Sequence, residues 1–185
     1  MNERYDYLTL RRGDNVPAAV AEAGGVIVGR WSGAAGMGWY DDELIVLVGW
    51  PEGTTPVPTP EAVPVRATAR PTSVAPLTGG GVFAHRWFEF DPADWDEFLS
   101  LSSGAWPAFE AAYGATIEAF LRTDKEPQDA VLLITRYPSL AGWEESRGAL
   151  SAAPGEDVAE AGRRFQRRRQ LTRRTIVRTG TLLSP

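Results

Sequence analysis

The one histidine of this 185-residue chain, His85, lies in the run VFAHRWFEF (82–90), directly before Arg86. An imidazole titrates near neutral pH, so it can act as a general base or, when neutral, as an axial haem ligand. The plainer reading is a hydrogen-bonded or rim histidine with no reaction. No cysteine is present, which removes disulfides, a thiolate nucleophile and cysteine-held zinc or iron–sulfur clusters. Zinc and copper prefer clustered nitrogen and sulfur ligands, so no metal site is expected and no cofactor is predicted, haem on His85 being the alternative. A hydrolytic triad is weakly supported, because LSLSSGAW (99–106) lacks a nucleophile-elbow pattern.

Arginine is the more frequent candidate. Arg30, Arg86 and Arg136 each interrupt an apolar strand-like run. A guanidinium there is costly unless a carboxylate meets it, from the protein or from a ligand. Glu89 and Glu118 are the internal partners at hand; the alternative is an anionic ligand, a carboxylate or a phosphorylated metabolite. Of the seven tryptophans, Trp31, Trp39 and Trp50 lie on or beside one hairpin, where they would wall an apolar cavity or form an oligomer interface. The residues expected around one ligand pocket are Arg30, Trp31, His85, Arg86, Arg136 and Tyr137, with His85 and Arg86 as catalytic candidates.

The elements that would position them follow from periodicity. YDYLTLR (5–11), VIVGRWS (26–32) and ELIVLVGW (43–50) read as strands, with an Ala-rich helix at NVPAAVAEAGG capped by Asn15 or Asp14 and stopped at Gly24. GAAGMGWYDD joins two of them as a flexible turn; it fits no phosphate-loop pattern. The proline-dense 51–64 is an extended loop, and VRATARPTSV (65–74) reads as an edge strand because Pro71 cannot donate to a ladder. PLTGGG (76–81) is a linker. Strand 82–90 then leads into a helix with Asp91 as N-cap and Pro92 at its first position. Its stripe Trp95, Phe98, Leu99, Trp106, Phe109 and Tyr113 is one helical face, with Gly104 and Pro107 predicting a kink or split near Ala105. ATIEAFLR and AVLLITRY are strands, Ser139 caps a short helix, and an Arg-rich helix (157–173) precedes a closing strand (175–183).

The second half is thus β-α-β-β-α-β, and the first repeats that order with a proline-rich loop for its second helix. The fold class is α+β: two tandem ferredoxin-like modules, 1–75 and 82–185, whose sheets pack face to face as one continuous barrel. Burial of both faces explains why ELIVLVG and AVLLIT are apolar throughout.

The run VFAHRWFEFDPADWDEFLSLSSGAWPAFEAAYGA, then VLLITRYPSLAGWEESR, then RRRQLTRRTIVR resembles the NIPSNAP-like branch of the dimeric α/β barrel superfamily over most of 82–178. The resemblance implies a ferredoxin-like fold and a homodimer. It implies no catalytic residue set, since many such proteins have no established activity and the superfamily spans monooxygenases, haem-degrading enzymes and stress-response proteins. The function expected is binding of a small apolar or carboxylate-bearing molecule between the sheets. The alternatives are a non-enzymatic assembly and a haem protein using His85.

No leader-like or membrane-length apolar run is present, so the expected compartment is the cytoplasm and no membrane partner is expected. The net charge of −5 argues against nucleic acid. RRFQRRRQLTRR (163–174) opposes this locally, but it has no aromatic interleaving beyond Phe165 and suits a solvated helix face.

Overall fold

The computed structural model describes residues 3–11, 13–33, 42–60, 62–147 and 156–183. Four strands come from the first half: β1 (Arg4–Arg11), β2 (Val26–Gly33), β3 (Glu43–Trp50) and β4 (Ala62–Arg70), with a short helix α1 (Ala18–Glu22) between β1 and β2. The second half supplies β5 (Val82–Phe90), α2 (Trp95–Tyr113), β6 (Thr116–Thr123), β7 (Ala130–Tyr137), α3 (Leu140–Ser146), α4 (Glu156–Leu171) and β8 (Thr172–Leu182).

All eight strands close into one antiparallel barrel in the order β1-β3-β2-β8-β5-β7-β6-β4. Within each half the order is fourth, first, third, second, as in a ferredoxin-like sheet: β4-β1-β3-β2 and β8-β5-β7-β6. The halves join where the second strand of each meets the fourth strand of the other, β2 with β8 and β6 with β4. Closure leaves no strand edge unpaired around the ring.

Side-chain alternation then sorts the apolar residues into three bodies. Inside the barrel lie Tyr5, Tyr7, Trp31, Ile45, Leu47, Phe83, Leu121, Leu132 and Ile134. Outside the first half, Leu8, Leu44, Val46, Val48 and Trp50 of the strands pack with Val20 of α1, with Val57 of the proline-rich stretch against them. Outside the second half, Phe88, Phe90, Phe98, Trp106, Phe109, Phe120, Tyr137 and Trp143 fill the space between sheet and helices.

Three local expectations are corrected. β4 is not an edge strand: it pairs with β1 and β6, and Pro71 lies just beyond its end. α1 spans only five residues and has Pro17 at its N-cap with no side-chain cap, while the Asp14 carboxylate instead accepts from the Arg11 N–H at 3.1 Å. α2 does not split; it runs unbroken with Pro107 inside. The proline forfeits one backbone hydrogen bond, but Phe98, Ala105, Trp106 and Phe109 bury on the sheet from both sides of it. Gly104 serves packing: a Cβ there would lie 2.2 Å from Nη1 of Arg164 on α4.

The linker closes one end of the barrel. Val74 and Leu77 pack onto the interior, and the Leu77 N–H donates to the Val28 carbonyl at 2.6 Å. Gly81 has φ +108°, and a Cβ on it would stand 2.2 Å from the Tyr137 carbonyl oxygen. Backbone on β7 cannot retreat, so Gly81→Ala is expected to cost about 2 kcal/mol or more, read as a lowered urea midpoint at unchanged slope. Among the described residues no helix is long and apolar enough to cross a membrane.

Candidate functional site

Strand β5 points Phe83 and His85 into the barrel and Ala84 and Phe88 out towards the helices. His85 is opposite Ile134 of β7 and Arg178 of β8. Its ring is 0% exposed, 4.5 Å from Trp31 in an edge-to-face contact and 5.8 Å from Tyr7. Tyr7 in turn meets Trp87 edge-on at 5.5 Å. Burial, reinforced by the Arg178 guanidinium, lowers His85 from 6.5 to about 3, so the imidazole is neutral at ordinary pH. It is therefore not a base poised near neutrality. An axial haem ligand must present a nitrogen to an open porphyrin face; a fully buried ring packed against Trp31 and Tyr7 does not fit that role.

The six expected pocket residues do not surround one cavity. They include three pairs of sequence neighbours, 30/31, 85/86 and 136/137, and neighbours on a strand point to opposite faces. Trp31 and His85 meet inside the barrel. Arg30 sits opposite Val46 on the outer face of the first half, its Nε buried without a hydrogen-bond partner among the described residues. Arg136 takes an inward position at the linker end, where its Nε donates to Glu118 at 2.7 Å and Nη2 to the Thr116 hydroxyl at 3.1 Å. That is the internal pairing the sequence offered. Arg86 and Tyr137 lie outside, under the helices, and Glu89 pairs with Arg174 rather than with Arg86. Trp50 is likewise outside, donating its indole N–H to Asp6 at 2.8 Å, and Trp39 falls outside the described residues, as does most of GAAGMGWYDD.

Sequence reasoning missed the mouth at the other end. Val63 is opposite Tyr7 and Ile176 opposite Trp87, so both take inward positions, yet they are 40% and 37% exposed. Arg178 and Glu43 approach to 3.4 Å there. A cavity of about 640 Å³ lies beside them, lined by Thr9, Arg11, Asp42 and Glu43 among others. The missed signal is parity: Ile176 and Arg178 alternate with Val177, which packs outward.

The basic run is largely spent on internal pairs. Arg163 and Arg164 pair with Glu160, Arg167 with Glu97, Arg173 with Asp91 and Arg174 with Glu89. Among the described residues no three His, Asp or Glu side chains gather as a metal site.

Comparison with known proteins adds the fold. No protein-family model and no curated protein matches the chain. Among solved structures, an anthrone oxidase-like protein matches over 99% of this chain and 92% of its own at 14% identity, TM-score 0.61. What that likeness shows is the fold. An uncharacterised ferredoxin-fold protein from Listeria monocytogenes, related to antibiotic biosynthesis monooxygenases, covers 100% of this chain and 96% of its own at 10% identity and TM-score 0.53. The expected NIPSNAP likeness is also found: a NIPSNAP family protein from Agrobacterium tumefaciens aligns with 60% of this chain and 91% of its own, at 20% identity and TM-score 0.45. The anthrone oxidase-like and Listeria matches extend over both halves of this chain.

Proposed function

We propose that the protein binds a small apolar, aromatic molecule at the open mouth of its barrel. The observation that carries this is the pair of exposed inward-facing side chains, Val63 and Ile176, above the Tyr7–Trp87 contact. Barrel mouths are a recurrent place for small-molecule sites, and apolar side chains left wet inside one gain by being covered. Arg178 is already engaged by Glu43, so this site favours the apolar over the carboxylate-bearing ligand. His85 lies below as a neutral ring of the floor, and Arg86 is on the other face of the sheet, so the two do not act together on one substrate.

The test uses 2-naphthol as probe, followed by saturation-transfer NMR and calorimetry. Ile176→Glu and Val63→Glu place a carboxylate at exposed positions and are expected to weaken binding at least tenfold with little change in stability. Absence of 2-naphthol binding, or binding untouched by both substitutions, would sink the reading. Because the barrel closes within one chain, the homodimer implied by the family resemblance would have to be held by helices or loops rather than by strand pairing.

A further inference from the structure

Behind the sheet from the barrel mouth, between β5 and the helices, two arginines share a buried space. Arg168 of α4 is 7% exposed; its guanidinium lies 4.6 Å over the Phe88 ring, 4.6 Å over Phe165 and 5.8 Å over Phe98. Among the described residues its guanidinium makes one hydrogen bond, Nη1 donating to the Ser102 hydroxyl at 3.3 Å. Arg86 stands two residues before Phe88 on the same face of β5, opposite Leu133 and Val177, and keeps part of its surface in reach of solvent. The two feel each other: after burial, the charge of Arg86 is the next cause lowering the proton affinity of Arg168, to about 9. Both stay charged at neutral pH. Arg147, stacked on Trp143 at 4.9 Å, adds a third positive charge that Arg86 feels.

Among the described residues no carboxylate forms an ion pair with them. Ten ion pairs join described residues, and none includes Arg86, Arg147 or Arg168. Of the other α4 and early β8 arginines, Arg163, Arg164, Arg167, Arg173 and Arg174 have one, and Arg169, which has none among the described residues, is exposed to solvent. The stretch 148–155 reads GALSAAPG and holds no acid that could serve. A buried guanidinium with a second, half-buried one beside it is favoured by an anion between them.

We propose that Arg86 and Arg168 form a binding site for a small organic carboxylate with an aromatic body, held between the outer face of β5 and helix α4. Two carboxylate oxygens match two guanidinium forks. The rest of the wall is the rings of Phe88, Phe98 and Phe165 with the hydroxyls of Ser102 and Tyr137, which suits an aromatic body. A phosphate brings more oxygens than these few polar groups can answer. This site rests on different residues from the barrel mouth and does not depend on that reading.

The test titrates benzoate and inorganic phosphate into the full chain in low-chloride buffer, by calorimetry and amide NMR shifts. Benzoate is expected to bind, with shifts centred on β5 and α4. Arg168→Met and Arg86→Met are each expected to weaken it at least tenfold, whereas Arg167→Gln, on the exposed pair with Glu97, leaves it unchanged. Methionine fills similar volume without the charge, so Arg168→Met should unfold at the same or a higher urea concentration, which separates lost binding from lost folding. No benzoate binding, or binding retained in both methionine variants, overturns the site. Phosphate binding as tightly as benzoate overturns the ligand class.

Discussion

Acidification from pH 6.5 to pH 4 is expected to remove about 3 kcal/mol of folding stability through His85 alone. The folded imidazole sits near 3 against 6.5 in the unfolded chain, because burial and Arg178 both oppose its charge. The unfolded state thus binds the extra proton throughout this window, and stability rises with pH. It is fully present above 6.5 and is lost progressively down to about 3. Roughly 2 kcal/mol should be gone by pH 5, above the range where most carboxylates titrate. Since His85 is the only histidine, a slope between pH 6.5 and 5 has one obvious source. Urea midpoints of wild type and His85→Phe across that range provide the check. The phenylalanine variant should be nearly flat where wild type falls. A flat wild-type profile would mean the ring is solvated or already charged in the folded protein.

That a titratable ring is held in the barrel at all follows from how the strand faces are allotted. Alternation in 82–90 was legible in the sequence, but alternation alone leaves two choices of inside and outside. Closure decides it: β5 lies between β7 and β8, and its Phe83 and His85 join the interior rings of Tyr7 and Trp31. The apolar runs of β3 and β7 and the capped turn at Asp91 were equally readable, since each rests on local pattern. The Asp91 carboxylate accepts from the Ala93 N–H at 3.1 Å. What local pattern could not supply was depth beneath a helix. Arg168 looks like one more cation in a solvated run. Yet Ala161, Phe165 and Arg168 fall at i, i+4 and i+7, so the stripe that meets the sheet passes through an arginine. The composition of the run hid its periodicity. The edge-strand expectation for β4 fails for the opposite reason: Pro71 lies one residue beyond the strand, which ends at Arg70.

Removal of Trp31 should be the costliest single truncation inside the barrel. Its side chain is 0% exposed, 5.8 Å from Phe83 and 4.5 Å from His85, and it overlies Gly29, where a Cβ would lie 2.4 Å from the ring. Trp31→Ala is expected to cost about 3–5 kcal/mol, the range for deleting a buried indole. A closed ladder cannot collapse around the gap, so little of the cavity term is recovered. Trp31→Phe keeps the ring contact and drops an indole N–H that has no hydrogen-bond partner among the described residues, so roughly half that cost is expected. Chemical denaturation at pH 7 measures both. The same variant bears on His85, because opening space beside the imidazole admits water and restores its proton affinity. Trp31→Ala should therefore lose less stability than wild type between pH 6.5 and 5 while starting lower. If its acid slope matches that of wild type, Trp31 is not what keeps His85 dry.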